Sequence, residues 1–421
     1  MPYRASASTG VSRTSRERRT PIGAGAADAA RYAASAAFAG IVALGAAIPL
    51  QRSWGSVAVW AYIGGALLAA ALARSHLDRR LALAIAVMVG ATLVPLALAA
   101  SARSPTDRGA TAQSEVLIVE EGATALVRGH DPYAVAYGSG PLASRPEPTR
   151  THVPYPPAML VFGLPKALAG AGPITDARVW FLLATLGVAI PTIRAMRADP
   201  DGRLLTFEVL LVLPTGALLL ATGGHDVPVL ATLLASIVLA DRGRSDAAGA
   251  AAGLALAMRQ TSVLAVPFIL AIVPRERRLR AAAWTALPLL VLSLPFLVWD
   301  AGAFVEDTVL FPLGLGTGAS SARTPTLGSA LLELVPEART AITIGLVLAI
   351  VIAVGALLLV RTPTTAGGAS ARAAAAFLVA VVLAPAARFG YLVYPISFAV
   401  WAFALARGAR ATGSARATAT G

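Results

Sequence analysis

Long apolar runs recur along almost the whole chain, broken by short arginine-bearing connectors and one extended polar stretch. Runs of about 20 apolar residues are long enough to cross the hydrocarbon core of a bilayer as helices. The pattern predicts spans at 28–49, 54–73, 80–101, 176–195, 203–221, 226–240, 282–299, 340–360, 373–387 and 391–406. Segments 154–170 and 249–273 are also apolar but are interrupted by polar or proline positions. The fold class is therefore an all-α polytopic membrane protein, with about 11–13 membrane helices once the interrupted segments are counted.

Arginine placement orients these spans, because cytoplasmic connectors carry an excess of Arg and Lys. Arg4, Arg13, Arg16, Arg18 and Arg19 put the N-terminal tail, residues 1–27, inside as a disordered basic segment. "RSHLDRR" (74–80), "RAMRADPDGR" (194–203), "DRGR" (241–244), "RERRLR" (275–280), Arg361 with Arg372, and the tail 407–421 fall on the same side. Both termini are then cytoplasmic and loop 102–153 faces out. A cleaved signal peptide is the poorer reading, since the first apolar run is too long and a second follows at once. For the alternation to close, 154–170 must enter and return or form a short span. Likewise 249–273 must form two half-helices, with Met258-Arg259-Gln260-Thr261 at the turn. Broken helices survive at membrane depth only where they line protein or a watery cavity, and a charge there points to function.

Composition supports the membrane reading: 57% of the 421 residues are hydrophobic, mean hydropathy is +0.70, and only 14% are charged. The formal charge of +13 would suggest nucleic acid in a soluble protein. Here the cations sit between spans, so the bilayer is the partner and nucleic acid is not. There are no cysteines, which excludes disulfides, thiolate metal sites and cysteine nucleophiles. No cytoplasmic connector is long enough to fold a nucleotide-binding domain. Any chemistry must face outward.

The outer side gathers polar residues, including three of the four histidines: His130, His152 and His225. Within it, "SEVLIVEEGATALVRG" (114–129) reads as a surface helix of about four turns. Glu120 lies ~140° and Glu121 ~120° around the axis from Glu115, so the three acids cannot form one cluster. Pro132 and the Gly/Ser/Pro-rich stretch 138–150 then stop regular structure, and "PYPP" (154–157) restarts it.

An acid, an apolar helix ending in Ala125-Leu126, Gly129 and Asp131-Pro132-Tyr133, and then "YPP" opening a membrane segment together resemble glycosyltransferase family 87. These are C-type membrane enzymes, polyprenol-phosphate-mannose-dependent α-mannosyltransferases. "TGGHDVPVLATLLA" (222–235), "ALAMRQTSVLAVPFILA" (255–271) and "ARFGYLVYPISFAVWA" (387–402) fit in the same order. The resemblance covers 80–406 and leaves 28–79 as an extra N-terminal transmembrane hairpin. It implies an extracytoplasmic active site in the plasma membrane. There a hexose, most plausibly mannose, passes from a polyprenyl-phosphate donor to an envelope glycolipid or glycan acceptor. It also implies that an acid in the first outer loop acts as base, and counting back from Gly129 puts Glu115 there. The family usually has Asp at that place; Glu120, Glu121 and Asp131 are the other acids able to serve, and Asp131 is kept beside Glu115 as a catalytic candidate.

Inversion at a sugar carbon needs a carboxylate to take the acceptor proton, with cations or donors at the departing phosphate. Arg259, Arg388 and His225 are the phosphate candidates, Arg because its fork binds phosphate bidentately. His130, His152, Tyr155, Asp226, Gln260 and Tyr391 are further substrate-binding candidates. Each has an ordinary alternative use: turn-initiating "DP", an interfacial tyrosine anchor, or an N-capping "HD". No cofactor is required and no metal ligand set is assigned, although a carboxylate-bound Mg²⁺ or Mn²⁺ stays open. "GLGTGA" (314–319) is no dinucleotide loop, because no strand precedes it, and "GAAAG" (249–253) suits close helix packing. The rival readings are transfer of another lipid-linked sugar such as arabinofuranose, a sugar or lipid transporter or flippase, and an inert scaffold. A transporter should show paired inverted halves, and the sequence shows no convincing internal repeat.

Overall fold

The computed structural model describes residues 23–72, 76–103, 111–317 and 324–417, with side chains up to 410. Expectations for residues 1–22 and for 104–110 of the polar loop lie outside the described residues. Among the described residues the protein is a helical bundle with no strand. Its elements are α1 (Gly23–Gly45), α2 (Pro49–Ala71), α3 (Leu77–Ser101), α4 (Ser114–Val127), α5 (Pro157–Ala169), α6 (Ala177–Ala195), α7 (Pro200–Thr222) and α8 (Asp226–Asp241). There follow α9 (Ser245–Met258), α10 (Gln260–Ala271), α11 (Arg278–Val305), α12 (Leu327–Leu334), α13 (Arg339–Leu359), α14 (Ala366–Leu383) and α15 (Val393–Ala417). Among the described residues, eight helices are long and apolar enough to cross a membrane. The protein is a multi-pass membrane protein.

Local chemistry sets the boundaries. Asp176 and Asp199 cap α6 and α7 by accepting from the amides of Arg178 and Gly202, and Thr365 caps α14 through Gly368. Pro49, Pro200 and Pro157 sit in first turns, where a missing N–H costs nothing. Helix α7 bends at Val212–Leu213 and restarts at Pro214. At the ends, α1 starts at Gly23 rather than 28, and α15 runs to Ala417, into the stretch expected to be a tail. Alanine and arginine are both strong helix formers, which accounts for the extension. The "GAAAG" stretch packs as expected: a Cβ on Gly249 or Gly253 would sit 2.2 or 2.1 Å from the Ala281 or Thr285 carbonyl of α11.

Side-chain bridges sort the connections into two sets, one at each end of the bundle. At one end Arg103, after α3, meets Asp176, before α6, at 2.9 Å. The chain between Arg103 and Asp176 therefore starts and finishes at the same end; within it α5 is a mixed 3-10 and α piece well short of the ~20 residues a span needs. At the other end Asp246 pairs with Arg280, so α9 and α10 form a second re-entrant pair, broken at Arg259 with φ −154 and ψ 121. Of the two interrupted segments, 249–273 is a helix broken at Arg259, and 154–170 holds one short helix.

One expectation is corrected. Helix α4 forms where predicted but is no surface helix, because residues 115–120, 122, 123 and 125 are buried. It lies against α5 so closely that a Cβ on Gly163 would stand 2.3 Å from the Val119 carbonyl. Alternation of acids and apolar residues suggested a wet face; salt bridges inside the bundle neutralise that face instead.

The N-terminal hairpin α1–α2 is anchored by buried polar contacts. Tyr32 donates to Glu208 at 2.6 Å, Arg31 reaches the same carboxylate at 3.0 Å, and Arg80 binds Asp28. Tyr62 donates to the Val212 carbonyl at the bend of α7, at 2.6 Å. Such pairs supply little net stability but fix register, since a shifted hairpin would leave buried charges alone.

Candidate functional site

Five chain segments meet at the end of the bundle that carries α4: its first turn, Pro154–Tyr155, the Thr222–Asp226 turn, the Arg259 break, and Arg388–Tyr394. The turn before α8 is tied to α4 by a hydrogen bond from the Gln113 amide to the Thr222 carbonyl, 3.2 Å. Gly223 sits close against Gln113 there, a Cβ at this position standing 2.5 Å from the Gln113 Oε1 and 3.0 Å from its Cβ. That close approach brings the first turn of α4 up to the "GGHD" turn.

At the centre, the Arg259 Nε lies 2.8 Å from Asp226 Oδ1, an ionic contact not aligned as a hydrogen bond. Tyr394 donates to the same oxygen at 2.7 Å, and the other end of the guanidinium rests against His225 Nε2. Two tyrosine rings flank the cation, Tyr155 at 5.6 Å and Tyr391 at 5.2 Å from ring centre to guanidinium carbon. Such contacts favour a cation that has lost its water. The Tyr155 and His225 rings touch, with centroids 4.8 Å apart. Gln260 donates to the Pro154 carbonyl at 3.2 Å, while its buried Oε1 has no partner. Burial pushes the His225 imidazole down to about 4, and Arg259 acts in the same direction against the pull of Asp226. The ring is neutral at physiological pH.

Glu115 enters this region from α4. Its side chain is 9% exposed and pairs with Arg388, whose own side chain is 40% exposed. The site is thus deep and neutralised at Asp226–Arg259, and more open at Arg388.

Asp131 and Tyr133 connect to this centre through Tyr155. The Asp131 Oδ1 accepts from the Tyr133 amide at 2.9 Å, and Tyr133 donates to the Tyr155 carbonyl at 3.0 Å. Asp131 Oδ2 is buried without a partner, and burial raises the carboxyl above its usual range, Asp300 adding to the rise. His152 stacks on Phe311 with centroids 4.0 Å apart and lies 3.7 Å from Glu306, away from the Arg259 centre. His130 is exposed at the end of α4 and touches none of these groups. So the structure brings together Glu115, Arg388, Tyr155, His225, Asp226, Arg259, Gln260 and Tyr391. Asp131 is linked to them through Tyr133, and His152 and His130 stand apart.

The remaining acids of α4 are spoken for. Glu120 takes both arms of Arg103 at 2.6 Å, and Glu121 holds Lys166 at 2.8 Å. Sequence reasoning missed Tyr394 and Tyr133. Tyr394 follows Tyr391 by three residues, a spacing that places both on one side of a helical turn; that signal was available in "GYLVYP". Among the described residues, no group of three or more His, Asp or Glu is placed to hold a metal ion.

Residues 153–387 match the model of glycosyltransferase family 87. No curated protein matches the chain. Among solved structures, the chain resembles ArnT from Cupriavidus metallidurans in the apo state at a TM-score of 0.46 and 18% identity, over 77% of this chain and 59% of that one. The chain thus spans less than two thirds of the length of that structure.

Proposed function

The chain belongs to glycosyltransferase family 87, and on that premise we propose that it transfers a hexose, mannose, from a polyprenyl-phosphate donor to an envelope glycolipid or glycan. The reaction takes place on the extracytoplasmic face of the plasma membrane, the side on which arginine placement puts loop 102–153, and both termini are cytoplasmic. One observation carries the reading. A single acid of α4, Glu115, is delivered to the mouth of a site whose floor holds Arg259 between two tyrosines.

In this mechanism the Glu115 carboxylate takes the proton of the acceptor hydroxyl. The acceptor oxygen forms a bond to the anomeric carbon while the bond from that carbon to the phosphate oxygen breaks. The electron pair leaves with the polyprenyl phosphate, and the configuration inverts. Arg388 and Arg259 meet the charge that grows on the phosphate, where preorganised cations contribute most. Neutral His225 donates or accepts one hydrogen bond without adding charge. Gln260, with its open Oε1, and Tyr155 and Tyr391 hold the sugar. Asp131 is assigned to positioning: through Tyr133 it sets the Tyr155 backbone. Glu115 is one methylene longer than the Asp usual in the family.

The test is transfer from labelled polyprenyl-phosphate mannose in membranes. Glu115→Gln is expected to lower the rate about 10²–10⁴-fold, the range for loss of a general base, at unchanged protein level. Full activity in that variant would remove Glu115 from the role.

A further inference from the structure

The N-terminal hairpin lies outside the matched residues 153–387, yet it builds a feature next to the site. A groove of about 400 Å³ runs between α1, the second half of α7 and the start of α15. Its walls include Phe38, Leu218, Leu219, Phe389 and Ile396, and its one charged residue is Arg31 at the far end. Arg31 is not offered to a ligand, because Asp28 and Glu208 already take its guanidinium. The groove therefore suits an uncharged apolar occupant along its whole length.

Two observations say what that occupant is. First, the groove is lined by Phe389 and Gly390, which stand in the chain between Arg388 and Tyr391 of the candidate site. Second, its surface opens away from the core: Phe389 is 63% and Ile396 41% exposed, and Ala34 is exposed too. An amphiphile lying there would present an anionic head to Arg388 and leave its tail along α1. We propose that this groove holds the isoprenoid chain of the polyprenyl-phosphate donor, with the first units against Phe389 and later ones along α1. The assignment rests on the proposed function and deepens it: the extra hairpin is a wall for the lipid tail. The polar anchors Tyr32–Glu208 and Tyr62–Val212 hold that wall in place.

The experiment has two arms. In the first, Ala34→Trp fills the groove, and transfer is compared between a full-length donor and one carrying only two isoprene units. Transfer from the long donor is expected to fall about ten-fold or more, as buried apolar contacts are lost, while the short donor is unaffected. Equal loss with both donors, or no loss, would overturn the proposal. In the second arm the unaltered protein is labelled with polyprenyl phosphate bearing a photoreactive group on the tail, several isoprene units from the head. Adducts are expected in the tryptic peptide 32–52, and unlabelled polyprenyl phosphate should compete for them where a two-chain phospholipid does not. Labelling elsewhere, or equal competition by phospholipid, would show a dent filled by bulk lipid and would sink the idea. Because the second arm measures binding alone, it decides the groove even if Ala34→Trp fails to fold. Absence of transfer by the unaltered protein from either donor would count against the enzymatic reading instead.

Discussion

Two buried polar clusters sit at the same end of the bundle, and they differ in how completely they are satisfied. In the first, Asp176 receives both arms of Arg178 at 2.9 and 2.7 Å, and Arg103 bridges Asp176 to Glu120. Arg178 goes on to donate to the Thr111 and Ala221 carbonyls, and Glu120 also takes Lys166 and the Ala177 amide. Arg178, Asp176 and Glu120 have no side-chain exposure. In the second, Arg259, Asp226 and Glu115 are nearly as buried, but Arg388 is 40% exposed and the Gln260 Oε1 stays unpartnered. The first network leaves no buried side-chain polar atom without a partner and so has little capacity for a ligand. An open one carries unused capacity, as a binding site must. The difference separates charges that hold helices together from charges offered to a substrate, although both were equally visible as acids and arginines in the sequence.

The sharpest way to break this comparison is to remove one cation from each cluster. Arg178→Ala leaves Asp176 buried and short of its main partner, a loss of about 3–5 kcal/mol in typical buried pairs. The expected outcome is little folded protein in detergent extracts, measured by thermal unfolding on a sizing column. Arg388→Ala should do the opposite. Because Arg388 is 40% exposed, water can take its place beside Glu115, and the stability cost should be smaller than that of Arg178→Ala, while transfer should fall about 10²–10³-fold, as when one donor to a developing oxyanion is removed. If Arg388→Ala unfolded the protein, or Arg178→Ala folded normally and lost only activity, the two clusters would have to exchange their assigned characters.

Much of this architecture was legible in the chain. Apolar run length matches eight of the ten uninterrupted spans, and the arginine connectors called for 249–273 to double back, as the Arg280–Asp246 bridge shows it does, and for 154–170 to return or form a short span. The Arg259 break was legible because a charge within an apolar run needs a reason. The identity of the acid that reaches the site was not. Glu115, Glu120 and Glu121 share one helix, and only partners remote in sequence, Arg388 against Arg103 and Lys166, tell them apart. For the same reason His130, beside Asp131 in the chain, is exposed at the helix end while its neighbour is buried. The docking of the first hairpin was equally hidden, because Arg31 and Glu208 are 177 residues apart.

A finer distinction between the regions comes from pH, through two carboxylates displaced in opposite directions. Burial alone would raise Asp176, but the hydrogen bonds and charges of Arg178 and Arg103 outweigh it and hold the carboxyl at about 2. Its ionised form favours the folded state; that contribution is complete above the ordinary value near 4 and is lost as pH falls through about 2. Asp131, buried with one oxygen unpartnered, is displaced upward. Its ionisation therefore opposes folding, and the penalty grows as pH rises from near 4 through its raised value. Asp131→Asn keeps an acceptor for the Tyr133 amide and cannot ionise. It should gain about 1 kcal/mol or less at neutral pH, the scale of one unsatisfied polar group, and match the unaltered protein at pH 4 and below. The midpoint of thermal unfolding, followed from pH 4 to 8 for both proteins, measures this directly. A variant less stable at neutral pH would mean that Asp131 finds a partner for its open oxygen, and the closed network around Asp176 would then no longer be set apart from this part of the site.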